Sequence, residues 1–152
     1  MFDPKQLILD KINKKGGWVN CHAHIDRSFT INQKLYRLAN ALRHEKWILN
    51  SELRKTSTVP QIYDRLAKSL ELMIAQKVDA IGTFIDVDPY TKDRCIKAAQ
   101  KIKDKYKSQI KIKFINHASY GILTKETRSW FEVGAEFADI IGGMVKANQG
   151  RE

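Results

Sequence analysis

Two histidines stand two residues apart at the end of a short apolar run, Gly16-Gly17-Trp18-Val19-Asn20-Cys21-His22-Ala23-His24-Ile25-Asp26. In a strand, alternate side chains share a face, so His22 and His24 project together with Asn20 behind them. Neutral imidazoles held side by side are a natural ligand pair for Zn²⁺ or Fe²⁺. Spacing alone also suits two strand-end histidines that bind no metal. Cys21 alternates with the histidines and is expected to face a helical layer as a buried free thiol.

The flanking patterns supply the elements that would hold this pair. Pro4 to Lys14 reads as a short helix, ended by Gly16-Gly17. Trp18 to His24 is strand 1. Leu35, Leu38, Leu42 and Leu49 continue at helical spacing, over about Gln33 to Asn50. Thr58-Val59-Pro60-Gln61 is a capping box with an early proline. The helix it opens turns Ile62, Leu66, Leu70 and Met73 inward. Strand 2 is Val78 to Asp86, strand 3 Ile110 to Asn116 and strand 4 Asp139 to Gly143. A helix over about Tyr90 to Lys107 separates strands 2 and 3. Another, Lys125 to Phe137, precedes strand 4 and buries Trp130 and Phe137.

Strands alternating with single helices imply a parallel sheet covered by helices. The connection from Ile25 to Lys77 is longer than the others and carries an extra helical segment. It suits a lid beside the histidines as well as it suits a packing or oligomer contact.

Composition narrows the classes. The chain has 152 residues, 43% hydrophobic and 29% charged. That suffices for one domain with a core, residues 1–152. No apolar run approaches the roughly 20 residues of a membrane span, and no secretory pattern opens the chain, so a cytoplasmic protein is expected. The net charge of +10 raises nucleic-acid binding, but its distribution argues against it. From Lys92 to Lys113, nine lysines and arginines face only Asp93 and Asp104. Lys97, Lys101 and Lys105 form one helical row; Ile96, Ala99, Ile102 and Tyr106 form another. This is an amphipathic helix with a lysine-rich solvent face.

The His22-Ala23-His24-Ile25-Asp26 motif resembles the first barrel strand of the amidohydrolase superfamily, and is similar to its cytosine-deaminase-like branch, which also carries an Asp two residues after the second His. Thr83-Phe84-Ile85-Asp86-Val87-Asp88, Gly121-Ile122-Leu123 and the run from Gly134 to Gly143 resemble later segments of that branch, in order. The resemblance implies an α/β fold of the (β/α)₈ TIM-barrel type. About four βα units are present, a half-barrel with a helical insertion after strand 1, so the chain looks like the N-terminal half of a longer enzyme. It implies one divalent metal ion, Zn or Fe, ligated here by His22 and His24. The remaining ligands and a proton-shuttling carboxylate come from later strands in the family, so no catalytic residue is assigned. Substrate contacts fall on Asn116 and His117 at the end of strand 3. Where the deaminases carry a glutamine two residues beyond, this chain has Ser119, which puts cytosine in doubt as the substrate. Strand 4 lacks the bridging lysine of binuclear members, and Lys146 lies beyond it. Asp86 and Asp88 are expected in a solvated loop, and His44 on a charged helical surface.

The implied activity is metal-assisted hydrolysis of a C–N bond in a small molecule, as a deaminase or cyclic amide hydrolase. The alternative is a catalytically inactive half-barrel, a remnant or interaction module. Four strands leave open edges, and open edges template pairing, so homo-oligomer formation is expected. No nucleic-acid or membrane partner is expected.

Overall fold

The computed structural model describes residues 3–31 and 51–143. The expected helical segment over 33–50, His44 and Lys146 lie outside them.

Asp3 caps helix α1 (Pro4–Lys14), its carboxylate accepting from the amides of Lys5 and Gln6. The helix ends at Gly16 and Gly17, both in the left-handed region. A side chain at Gly17 would meet Lys77 O and Asp79 Cβ, each at 2.9 Å. The missing Cβ thus lets β1 (Trp18–Ala23) start against the beginning of β2 (Val78–Asp86). Between them, a 3-10 turn (Ile25–Arg27) follows β1, and residues 51–56 are helical. Helix α2 (Val59–Ala75) starts at Thr58 with both halves of its capping box formed. Helix α3 (Arg94–Tyr106), β3 (Lys111–His117), α4 (Lys125–Phe137) and β4 (Ile140–Ile141) complete the described chain.

The four strands form one parallel sheet in the order β1-β2-β3-β4. This is the expected half-barrel-like α/β arrangement. The β2–β3 register is regular, pairing Ile81 with Ile112, Thr83 with Phe114 and Ile85 with Asn116. These residues share the face toward the helices. There they pack with Ile62, Leu66 and Leu70 of α2 and Ala98, Ala99 and Ile102 of α3. The α3 rows fall as their spacing requires, with Ile96, Ala99, Ile102 and Tyr106 buried and the lysines exposed. On the opposite face, Phe84 pairs with Ile115 and Asp86 with His117.

Three local expectations change. Helix α3 begins at Arg94 rather than near Tyr90, because Asp88 and Thr91 hold the preceding residues in a turn. Trp130 and Phe137 are half-buried rather than buried. They lie at the margin of the core, Phe137 against Phe114 with ring centroids 5.6 Å apart. Cys21 is exposed, not buried. Strand β1 is the edge of the described sheet, and no described helix covers Cys21. The strand is also irregular there: Asn20 pairs with Ile81 but Ala23 with Thr83, three residues against two. That bulge breaks the strict alternation on which the Cys21 expectation rested.

Candidate functional site

The site lies where β1, β2 and β3 end. Thr83 pins the end of β1 from the neighbouring strand. Its hydroxyl donates to Ala23 O at 3.2 Å and accepts from Ile25 N at 3.3 Å. The backbone is thereby held on both sides of His24. The rings of His22 and His24 sit on the same side, in edge contact, with centroids 5.4 Å apart. Phe84 of β2 lies 4.9 Å from each and stacks on His24. A third imidazole, His117 of β3, lies 5.2 Å from His24 and 5.4 Å from Phe84. Three imidazoles therefore gather around one phenyl ring.

Below them, Asp86 is 1% exposed and surrounded by donors. Arg54, from the helical residues 51–56, donates from Nε at 2.8 Å and from Nη2 at 3.3 Å. His117 Nδ1 donates at 2.8 Å and Ser119 Oγ at 3.0 Å. Arg27 Nε lies 3.4 Å away. Tyr120 and Ser119 also accept from Arg54, so one guanidinium joins three segments of the site. Burial works against ionisation of Asp86. The His117 hydrogen bond and the Arg27 and Arg54 charges overcome it, holding the carboxyl well below the usual range. Arg54 is in turn held charged: burial opposes its charge, but Asp86 outweighs that.

Asp26 is also buried and accepts from the Asp86 amide at 3.2 Å. Burial, then the nearby Asp86 charge, pushes its carboxyl upward. Asp88 accepts from the amides of Tyr90 and Thr91, each at 2.8 Å. A solvated loop was expected for Asp86 and Asp88; both are instead buried. Two arginines from the long β1–β2 connection, Arg27 and Arg54, neutralise the strand end and close it from water.

His24 is pulled down to about 4 by burial first, then by Arg27 and His117. It is neutral at pH 7, the form that ligates metal. Two rings sharing one tetrahedral ion at about 2.0–2.1 Å have centroids about 5 Å apart. The separation of His22 and His24 fits two positions of such a shell. Among the described residues, no group of three or more histidines, cysteines or carboxylates is placed to hold a metal.

Of the two residues expected to contact substrate, only His117 joins the cluster. Asn116 turns to the helical layer, where Nδ2 donates to Phe131 O at 2.9 Å. Gly134 of α4 leaves room for it; a Cβ there would come within 2.8 Å of Asn116 Cγ. Two residues of the site escaped sequence reading. Arg27 directly follows the His-x-His-x-Asp run, which is a usable signal. Arg54 has none, since only the fold brings it to Asp86.

No family model matches the chain. A curated relative, an uncharacterized protein of Haemophilus influenzae, is 46% identical over 143 residues. The match takes in 92% of this chain and 51% of that protein, so the chain spans about half the length of the relative. Among solved structures, the 5-methylcytosine deaminase of Klebsiella pneumoniae, liganded with 5-fluorocytosine, superposes with a TM-score of 0.78 at 19% identity. It matches 89% of this chain and 33% of its own. The N-isopropylammelide isopropylaminohydrolase of Burkholderia multivorans superposes with a TM-score of 0.58 at 23% identity, over 84% of this chain and 32% of its own. No helix among the described residues is long and apolar enough to cross a membrane. At these identities the likeness is one of fold: the described chain shares the half-barrel α/β arrangement of part of both enzymes, spanning about a third of either.

Proposed function

We propose that this chain forms the first part of a metal-dependent hydrolase acting on C–N bonds of a small molecule, as a deaminase or cyclic amide hydrolase. The observation that carries this reading is the His22–His24 pair at the mouth of a fold shared with two enzymes of that kind. The proposed setting is the cytosine-deaminase-like branch. His22 and His24 would hold one divalent ion, Zn or Fe, which when bound lowers the pKa of a coordinated water to about 7. Phe84 supplies an apolar floor for the pair, stacked on His24 and tilted against His22. His117 donates from Nδ1 to Asp86, which orients the ring and leaves Nε2 as the nitrogen open to a substrate. Asp86 itself is poorly suited to take a proton, being committed to Arg54 and His117. The proton-shuttling carboxylate of this reading therefore comes from outside the described residues.

Two imidazoles leave an ion largely water-coordinated, so zinc binding by this chain is expected to be weaker than about 1 µM. In a zinc titration followed by histidine NMR, His22 and His24 should shift together. Either His22→Ala or His24→Ala should abolish the response at the other ring. No response at either ring at millimolar zinc would remove the metal reading.

A second reading, an inactive half-barrel acting through association, is favoured by the apolar edges of the described sheet. Trp18 and Val19 of β1 are 53% and 65% exposed, and Ile140 and Ile141 of β4 are 47% and 57% exposed. Such edges pair with another strand, and the simplest assembly is a two-fold dimer of this chain. Light scattering should show mass above that of a monomer, falling on dilution. A monomer at every concentration would set this reading aside.

A further inference from the structure

Arg27 contacts His24 in a way that ordinary metal ligation does not permit. Its Nη2 lies 2.8 Å from His24 Nδ1. A guanidinium has donors and no acceptor. Nδ1 must therefore be the accepting nitrogen, and the neutral ring carries its proton on Nε2. A metal-bound histidine has the opposite requirement, since the nitrogen not on the metal bears a proton and donates it to an acceptor. If an ion took Nδ1, it would displace Arg27 directly. If it took Nε2, the proton would move to Nδ1 and face a donor. Either way, Arg27 and the ion exclude one another at this ring.

The structure also offers Arg27 a second position. Its Nε is buried and makes no hydrogen bond. That atom lies 3.4 Å from Asp86 Oδ2 and 3.8 Å from Asp26 Oδ1. Asp26 Oδ1 is likewise buried without a hydrogen-bond partner. A short movement of the guanidinium away from His24 would bring this orphaned donor and orphaned acceptor together, which recovers the cost of burying both unpaired.

We propose that Arg27 competes with a divalent ion for His24, holding Nδ1 as the side chains now stand and withdrawing to Asp26 and Asp86 when the ion binds. This rests on the metal reading above. It makes Arg27 a positioning residue that sets how readily the site loads.

The test uses the full chain with zinc alone as the probe. Long-range ¹H–¹⁵N spectra without zinc should show His24 with its proton on Nε2; a proton on Nδ1 would overturn the proposal, and this measurement needs no variant. Arg27→Met keeps the aliphatic stem and removes the donors. It should bind zinc at least about tenfold more tightly than the unmodified chain, about 1.4 kcal/mol. Arg27→Lys, a donor of similar charge, should fall between them. Equal affinity in all three proteins would overturn the competition while leaving the metal reading standing. No response of His22 and His24 to zinc in any of them would remove both.

Discussion

Replacing Asp86 by alanine should lower the stability of the fold by about 3–5 kcal/mol, the usual cost of breaking a buried ion pair by removing one partner. The substitution strands Arg54, which is only 10% exposed and aims two donors at this carboxylate. It also removes the acceptor that His117 Nδ1 and Ser119 Oγ share, leaving them to bond each other at 2.7 Å. Asp86→Asn, which keeps an acceptor but loses the charge, should cost less. Denaturant unfolding monitored by circular dichroism measures both. The pH dependence gives a second check. Asp86 resists protonation in the folded chain but takes a proton at the ordinary carboxylate value, near 3.8, when unfolded. Its contribution is therefore present above that value and is lost as pH falls through the lower folded value. Asp26 has the opposite sign. Its folded carboxyl is raised, so its contribution is full at acid pH and lost as pH rises toward neutrality. The acid sensitivity of the unmodified chain should flatten in Asp86→Ala. A variant as stable and as acid-sensitive as the original would show that the arginine cluster does not depend on Asp86.

Phe114→Ala should be comparably damaging, at about 3–5 kcal/mol, or a fall of roughly 2–4 °C in Tm for each kcal/mol. Phe114 is fully buried between the sheet and the helices and packs against Phe137 of α4. Its backbone also holds the start of β4, donating to Asp139 Oδ2 at 3.0 Å and accepting from Asp139 N at 2.9 Å. Loss of the ring opens a cavity under both α4 and this junction. Because Phe114 faces the helices, the zinc response of His22 and His24 should survive wherever the variant remains folded. Thermal unfolding reads the first effect and the NMR titration the second. A drop of less than 1 °C would contradict the placement of Phe114 in the core.

Much of this protein follows from local pattern. The capping box at Thr58 and Gln61, the apolar row of α3 and the period-two runs of β2 and β3 each specify an element from residues a few positions apart. Parallel order follows from their alternation, because a helical crossover returns each strand beside the last. His22 and His24 end on the common side that their spacing suggests, although β1 bulges between Asn20 and Ala23. What only the tertiary structure decided is which groups share the strand ends. Asp86 reads from sequence as the polar exit of a strand. It is buried because Arg54, 32 residues earlier in the chain, and Arg27, from the start of the same β1–β2 connection, meet it there. Asn116 and His117 are adjacent in sequence yet serve opposite faces, one bonded to α4 and the other joined to the imidazole cluster. Cys21 is exposed because burial depends on what lies across an edge strand, a fact no period within the strand contains. Local periodicity sets the direction of a side chain relative to its own element. Burial, charge neutralisation and the state of a carboxyl depend on partners brought from far along the chain, and only the folded molecule places those.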